Sequence, residues 1–555
     1  MVDIPNDTTT TASVAVGGTF QDTIEVLGDL DWIAVTLVAG QTYSIALNGT
    51  GAGEIADPFV RLLDSGGNLI ATDDDSGPGL SSLVTFTAPT SGTYYIEAGA
   101  FNGGSTGNYT VAVEEVQPPS FLDSIDWGTQ MTKTVIDVYF APEGETINNR
   151  TSLGWSDYEI QQAMLAFQQF SNVADVTFRI TTDASKAEFR LVTTTSNKFL
   201  GFFGPPDTGK GSGVGVFAAN GSGWDDAPGG GLEQGGYGFV TLIHEFGHGM
   251  GLAHPHDNGG TSTIWEGVTG PFNSYGTFDL NQGIYTAMSY NDGWQLNPDG
   301  LPPDFLGGYE GTMMAFDIAV LQAKYGANTT FHNGADTYTL NDQNGTGTYY
   351  SCLWDTGGID EIVYVGNRDT VIDLRDAHLG YAEGAGGYIS YAEGVFGGFT
   401  IANGVMIENA RGGSGSDQLI GNEGRNLLVG GNGADSLVGG LGRDVLQGGA
   451  GGDEFIYISA LDSKGGAKVR DHINLFQTGL DTIDLSTVDA RSGGSDNDDF
   501  LWINHQKFHH VQGELRWTVS DAGVLVAADV DGNGKADFTI LLAGISSVAE
   551  ADFVL

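Results

Sequence analysis

The chain has 555 residues, with 21 Lys+Arg against 70 Asp+Glu and a formal net charge of -49. That acidic balance excludes nucleic acid and anionic membranes as partners, since both require basic surface. The single cysteine, Cys352, rules out an intrachain disulfide, and no stretch reaches the ~18 apolar residues of a membrane helix. Length allows about three to four domains, and self-repulsion of this size predicts that cations neutralise the folded state. The 87 glycines are concentrated, which points to a repeat. The N-terminal MVDIPNDTTTTASVAV has no basic region followed by an apolar core, so no Sec-type signal is expected there.

Residues 13–115 read as strands. Tyr43, Ile45 and Leu47 alternate with polar or small neighbours, as do Tyr109, Val111 and Val113. Turn clusters at 39–40, 65–67 and 91–92 separate them, which predicts an antiparallel β-sandwich. The stretches DLDWIAV, DPFVRLLDSGGNLIATDDD and APTSGTYYIEA resemble the bacterial pre-peptidase C-terminal domain, a small sandwich attached to secreted peptidases. Asp73, Asp74 and Asp75 read as a solvated acidic turn, with calcium binding as the alternative. ValGlnProProSer at 116–120 reads as a linker.

From about 120 the texture becomes mixed α and β. Ser156 and Glu159 form a capping box ahead of a helix with Ile160, Ala163, Met164 and Phe167 on one face. Strands follow at 176–180 and 188–192. Residues 213–218 read either as an edge strand able to pair with an extended peptide or as a plain structural strand. A glycine-rich loop at 228–238 leads to Thr241–His256, TLIHEFGHGMGLAHPH. His244 and His248 lie four apart, so a helix projects both imidazoles from one face toward one metal ion. Glu245 stands beside them as a base for a metal-activated water. Gly251 lets the chain leave the helix and bring in His254 as the third ligand. Three nitrogen ligands with an open position describe a catalytic zinc site rather than a structural one.

Met288 and Tyr290 follow in TyrThrAlaMetSerTyr. HExxHxxGxxH with a downstream methionine turn resembles the metzincin endopeptidases, and His254-Pro255 with Met288-Ser289-Tyr290 resembles their serralysin branch, calcium-dependent proteases secreted by Gram-negative bacteria. The resemblance implies that Met288 floors the zinc ligands. It also implies that Tyr290 is a fourth zinc ligand at rest and hydrogen-bonds the transition state. His256 and Asp257 are expected to be solvated loop residues, and Asp317 a structural hydrogen-bonding residue in a helix over 313–326. Residues 195–235 encode no legible side-chain preference.

From Gly412 five nonapeptides run without insertion, GGSGSDQLI, GNEGRNLLV, GGNGADSLV, GGLGRDVLQ and GGAGGDEFI. This is the repeat of the parallel β-roll. Leu419, Leu428, Leu437, Val445 or Leu446, and Phe455 should face inward. Asp417, Asn426, Asp435, Asp444 and Asp453 stack along an edge and require calcium between them, more weakly where Asn422 and Asn426 break the pattern. The serralysin resemblance adds Gly413, Gly415, Gly431 and Gly433 as calcium positions, a loop with Asp355, Gly357 and Asp360, and Glu408 serving the first roll site. Asp529, Asp531, Asn533 and Asp537 space like the start of an EF-hand loop but lack its glutamate, so a polar turn is expected. His505, His509 and His510 read as surface residues. Asp552-Phe553-Val554-Leu555 resembles the serralysin signal for type I export through an ABC transporter.

The expected architecture is multidomain α+β and all-β. It comprises an N-terminal antiparallel β-sandwich (1–116), a metzincin α+β catalytic domain (117–330), and a C-terminal parallel β-roll with a flanking β-sandwich (331–555). The expected function is a secreted, extracellular, calcium-stabilised zinc endopeptidase. It would act on protein and peptide substrates as a monomer, without nucleic acid or membrane insertion. The alternative is a calcium-dependent surface or adhesion protein with an inert peptidase domain.

Overall fold

Period-two alternation in the first 115 residues builds two four-stranded antiparallel sheets in the computed structural model, which describes residues 3–116, 120–206, 209, 211–225, 227–493 and 497–555. Most of the expected linker at 116–120 lies outside the described residues. The chain divides into two compact units, Met1–Pro119 and Ser120–Leu555. In the first, one sheet runs Gly18–Ile24, Gly107–Glu115, Thr42–Gly49, Ser82–Thr87, and the other Leu30–Leu37, Gly92–Ala100, Pro58–Leu63, Leu69–Asp73. Ile33, Val35, Ile45, Leu47, Val60, Leu62, Ile96, Val111 and Val113 form its buried core. Asp73 accepts hydrogen bonds from Ser76 Oγ and from the Leu83 amide, 2.8 Å, so the acidic stretch is a hydrogen-bonded turn.

The second unit opens with a five-stranded sheet in the order Thr177–Ile180, Val135–Phe140, Phe189–Thr194, Val214–Ala218, Gly201–Phe203. The first four strands are parallel and the last is antiparallel. Val214–Ala218 is therefore interior, and the edge belongs to Gly201–Phe203. Of the two readings of 213–218, the structure therefore favours the plain structural strand, because Gly201–Phe203 pairs along its outer side. Helix Asp157–Val173 starts at the expected capping box, with Ser156 Oγ accepting the Glu159 amide at 3.2 Å and Glu159 accepting the Ser156 amide at 2.7 Å. Its Phe167 stacks on Phe246 of helix Tyr237–Gly249, ring centroids 3.7 Å apart. This contact seats the second helix against the sheet.

Downstream, two long sheets enclose the roll. One has ten strands and ends in the antiparallel Glu514–Ser520, Gly523–Asp529 and Phe538–Ala543, with Leu501–Asn504 at its edge. The other has nine and closes with Phe553–Val554 beside Thr482–Asp484. The flanking segment is thus an extension of the roll's own sheets rather than a separate sandwich. Nonapeptide strands two repeats apart pair in parallel, Leu419 with Leu437, Leu428 with Leu446, and Leu437 with Phe455. All five of those residues are fully buried, and it is Leu446, not Val445, that points inward. Burying each contributes roughly 2 kcal/mol. One apolar core runs from Phe121 through Met288 and Phe316 to Tyr350, Leu428 and Phe553. Residues 120–330 and 331–555 therefore share their interior.

Candidate active site

Helix Tyr237–Gly249 carries His244, Glu245 and His248, all buried. Gly251 ends it at φ +89°, and a Cβ there would lie 2.1 Å from the Thr129 carbonyl, so only glycine makes this turn. The turn returns His254 over the helix. His254 Nε2 lies 3.1 Å from His244 Nε2 and 2.9 Å from His248 Nε2. The three Nδ1 atoms are engaged elsewhere: His244 with the Ala287 carbonyl at 2.8 Å, His248 with the Leu252 carbonyl at 3.0 Å, His254 with Asp257 Oδ2 at 2.9 Å. Each such partner is an acceptor, so the protons sit on Nδ1 and three Nε2 lone pairs face one another. That arrangement is repulsive without a cation, and it fits a zinc ion with nitrogen ligands. Burial and the neighbouring imidazoles hold His244 well below its ordinary value and push His248 down to about 3, which keeps both rings neutral.

Asp257 is not the solvated loop residue that the sequence predicts. Its carboxylate orients His254, and the resulting hydrogen bond keeps it below the usual carboxylate range. His256 is half-buried, its ring stacked on His254 at 4.7 Å. The signal was available, since Asp257 follows the third histidine by three residues and lies in reach of its outer nitrogen. Replacing Asp257 with Ala should weaken zinc affinity about 10–100-fold, as loss of such partners does elsewhere. Zinc titration against a competing chelator measures this, and unchanged affinity would refute the role.

Glu245 Oε2 is buried without a hydrogen-bond partner, and burial pushes the carboxyl up to about 8. A cation on the three histidines lowers it again by direct attraction. The edge strand passes beside it at Gly201, where a Cβ would come within 2.6 Å of Glu245 Cγ. The Tyr290 ring lies 5.4 Å from that of His244 and 4.8 Å from that of His254. Burial and then Glu245 push its phenol up to about 12, so it stays a proton donor.

Met288 is fully buried beneath the helix, and a Cβ on Gly247 would meet its Sδ at 2.6 Å. Gly247 is thus the residue within HEFGH that admits the methionine, a role its sequence position did not reveal. Asp317 does more than serve its own helix, Ala315–Tyr325. It accepts from Thr286 Oγ1 at 2.6 Å, the Ala287 amide at 2.7 Å and the Met314 amide at 3.0 Å. The Ala287 carbonyl in turn orients His244, so Asp317 braces the turn around Met288 and His244 together.

Along the roll, Oδ1 of one acid accepts the amide of a residue one full turn earlier: Asp435 from Asp417 at 2.9 Å, Asp444 from Asn426 at 2.8 Å, Asp453 from Asp435 at 3.1 Å. The ladder continues past the last nonapeptide, with Asp471 accepting from Asp444 at 2.7 Å and Asp481 from Asp453 at 3.1 Å. Oδ2 of Asp435, Asp444, Asp453 and Asp471 is buried with no partner. Cβ atoms on Gly431 and Gly433 would lie 2.2 and 1.9 Å from the carbonyls of Gly413 and Gly415, so these turns stack backbone on backbone. Orphaned carboxylate oxygens beside stacked carbonyls fit a hard cation such as calcium. Asp471 and Asp481 escaped the sequence reading because the repeat period lapses before them.

The other expected calcium residues divide. Asp360 Oδ2 is buried without a partner, near Asp355, whose Oδ1 accepts the Gly357 amide at 2.8 Å. Glu408 touches both places: its Oε2 accepts the Asp360 amide at 2.8 Å, and its carbonyl accepts from the Asn426 side chain at 3.1 Å, just before the strand that runs beside Glu361–Val363. Asp417 already accepts from Thr370 and from the Gly413 amide at 2.7 Å. The Asn426 amide is likewise filled by Asn422 and the Glu408 carbonyl. Asp529 accepts the Gly532 and Gly534 amides at 2.9 and 2.7 Å in a polar turn, and carboxylate oxygens of Asp529, Asp531 and Asp537 lie within 4.8 Å of one another. His505 packs on Trp517 and His509 pairs with Glu514 at 2.6 Å, so that cluster is dispersed.

Comparison with known proteins places these features. Residues 317–555 match the family model for the peptidase M10 serralysin C terminus, and 29–100 that for the bacterial pre-peptidase C-terminal domain. The chain is 35% identical to a serralysin of Photorhabdus luminescens, over 71% of its own length and 78% of that protein. It is 31% identical to the metallopeptidase AprA of Pseudomonas marginalis, over 89% and 95%. It is 32% identical to serralysin C of Dickeya chrysanthemi, over 88% and 99%.

Proposed function

The chain belongs to the serralysin family and is a secreted zinc metalloendopeptidase; from that premise we propose a division of labour among its residues. The observation that carries it is the convergence of three Nε2 lone pairs beside an unpartnered, buried Glu245 carboxyl. His244, His248 and His254 hold the zinc, with Tyr290 as a further ligand at rest. When bound, zinc supplies a Lewis acid that acidifies water and polarises the scissile carbonyl. Glu245 takes the proton of the attacking water and delivers it to the leaving amine. Tyr290, held protonated, donates its hydroxyl to the developing oxyanion. The substrate backbone pairs with the edge strand Gly201–Phe203, which runs past Glu245 and among the described residues has no strand on its outer side.

Calcium belongs to the same proposal. Asp435, Asp444, Asp453 and Asp471, with the carbonyls stacked at Gly413, Gly415, Gly431 and Gly433, hold it in the roll, and Asp355, Gly357 and Asp360 hold it in the preceding loop. Asp552, at the end of a 3-10 turn, and Phe553, in the closing strand, are both buried in the folded protein, so a transporter that reads them must meet an unfolded chain. We place folding outside the producing cell, where calcium is abundant. Substituting Tyr290→Phe tests the oxyanion role. It should lower kcat about 10²–10³-fold with zinc content unchanged, measured on a quenched fluorescent peptide. Wild-type kcat in that variant would remove Tyr290 from the mechanism.

A further inference from the structure

Beside the zinc ligands lies a cavity of about 310 Å³ lined by Tyr237, Val240, His244, Phe272, Tyr290 and Asp292, among others. Tyr237 and His244 stand seven residues apart on one helix, so they mark points about 10 Å apart along its axis. Tyr237 and the Asp292 carboxyl both line the cavity and lie close enough to interact electrostatically. The acid therefore sits at the end of the cavity away from the reacting bond, with Val240 and Phe272 contributing apolar wall. Behind it lies a second acid. Glu310 is fully buried, accepts the Gly293 amide at 2.8 Å through Oε1, and leaves Oε2 without a partner. The two carboxyls repel each other, and among the described residues no lysine, arginine or histidine pairs with either. Lys198, also on the lining, is exposed.

Glu310 is removed from water while Asp292 is partly exposed to the cavity, and a positively charged ligand beside Asp292 offsets the repulsion between the two carboxyls. A cavity with apolar walls and an acid at its far end suits a side chain with a methylene stem and a cationic head. We propose that this cavity receives a lysine or arginine of the substrate at a position flanking the scissile bond, with Asp292 as the residue that selects it. The inference rests on the zinc peptidase reading, and it extends that reading to a substrate class. The net charge of -49 acts in the same direction, drawing cationic peptides toward the protein.

The test uses the full-length protein loaded with zinc and calcium. Digestion of a mixed peptide library, followed by sequencing of the cleavage sites, should show lysine and arginine enriched at one of the two positions beside the cut. Enrichment of leucine, phenylalanine or methionine there, or no enrichment, overturns the proposal while leaving the peptidase intact. No cleavage at all overturns both. On matched peptides, arginine should exceed norleucine in kcat/KM by about tenfold or more at that position. Asp292→Asn should bring the ratio near one, and since the ratio is taken within one preparation it does not depend on the fraction folded. Should that variant fail to fold, the wild-type ratio decides through salt. The arginine advantage should shrink between low and high ionic strength as screening weakens the charge contact, and a salt-independent ratio overturns the proposal.

Discussion

Substituting Glu245→Gln should lower kcat/KM about 10²–10⁴-fold on any peptide, the range that general base catalysis supplies, while the protein retains its zinc. The amide has the size and shape of the carboxyl and fits the same buried space beside Gly201. It cannot take a proton from water. Because Glu245 Oε2 has no hydrogen-bond partner among the described residues, the substitution breaks no hydrogen bond seen there, and burial penalises a carboxylate more than an amide. The metal-free variant should therefore melt no lower than wild type. Peptide kinetics, zinc content by atomic absorption and a thermal melt measure the three quantities. A variant with near wild-type turnover would remove Glu245 from the mechanism. One that loses zinc would show that Glu245 holds the site together instead.

Stripping calcium should unfold the roll at alkaline pH and much less so at mildly acidic pH. Burial first, then neighbouring acids, pushes Asp435 up to about 7, Asp444 to about 8 and Asp471 to about 7, against 3.8 ordinarily. Folded values above the unfolded ones mean that the native state binds more protons between about pH 4 and 8. The stability these groups contribute is present at low pH and is lost as pH rises through that window. Calcium substitutes for the protons, so adding it should reverse the order and stabilise the protein most at pH 8. Far-ultraviolet circular dichroism of the full-length chain in chelator at pH 5.5 and 8, then with millimolar calcium, measures this. The full chain is the right object because the roll shares its core with the peptidase segment. Equal stability at both pH values without calcium would show that the acid ladder is not electrostatically loaded.

What the amino-acid sequence determined by itself is whatever local spacing dictates. Histidines at i and i+4 share a helix face regardless of surroundings, and a period of nine with glycine and aspartate at set places builds a roll. His244, Glu245 and His248, the capping box at Ser156, and the inward leucines of the roll were legible for that reason. So were the two families of strand in the first 115 residues.

What only the tertiary structure decided are pairings between distant segments. Asp317 meets the turn at Ala287, Met288 needs the bare Cα of Gly247, and Glu408 crosses to Asp360. Asp471 and Asp481 continue the acid ladder after its period has lapsed, because the hydrogen bond to the turn below, not the repeat, sets their place. Whether 213–218 forms an edge or an interior strand was open in the sequence, since sheet order is a matter of which segment packs outermost, and that place went to Gly201–Phe203. Asp292 looked like one acid among 70. Its meaning comes from a cavity whose walls are drawn from the zinc helix and the segments around Phe272 and Tyr290. A carboxylate's role is set by what desolvates it and what charge it faces, and neither is a property of its neighbours in the chain.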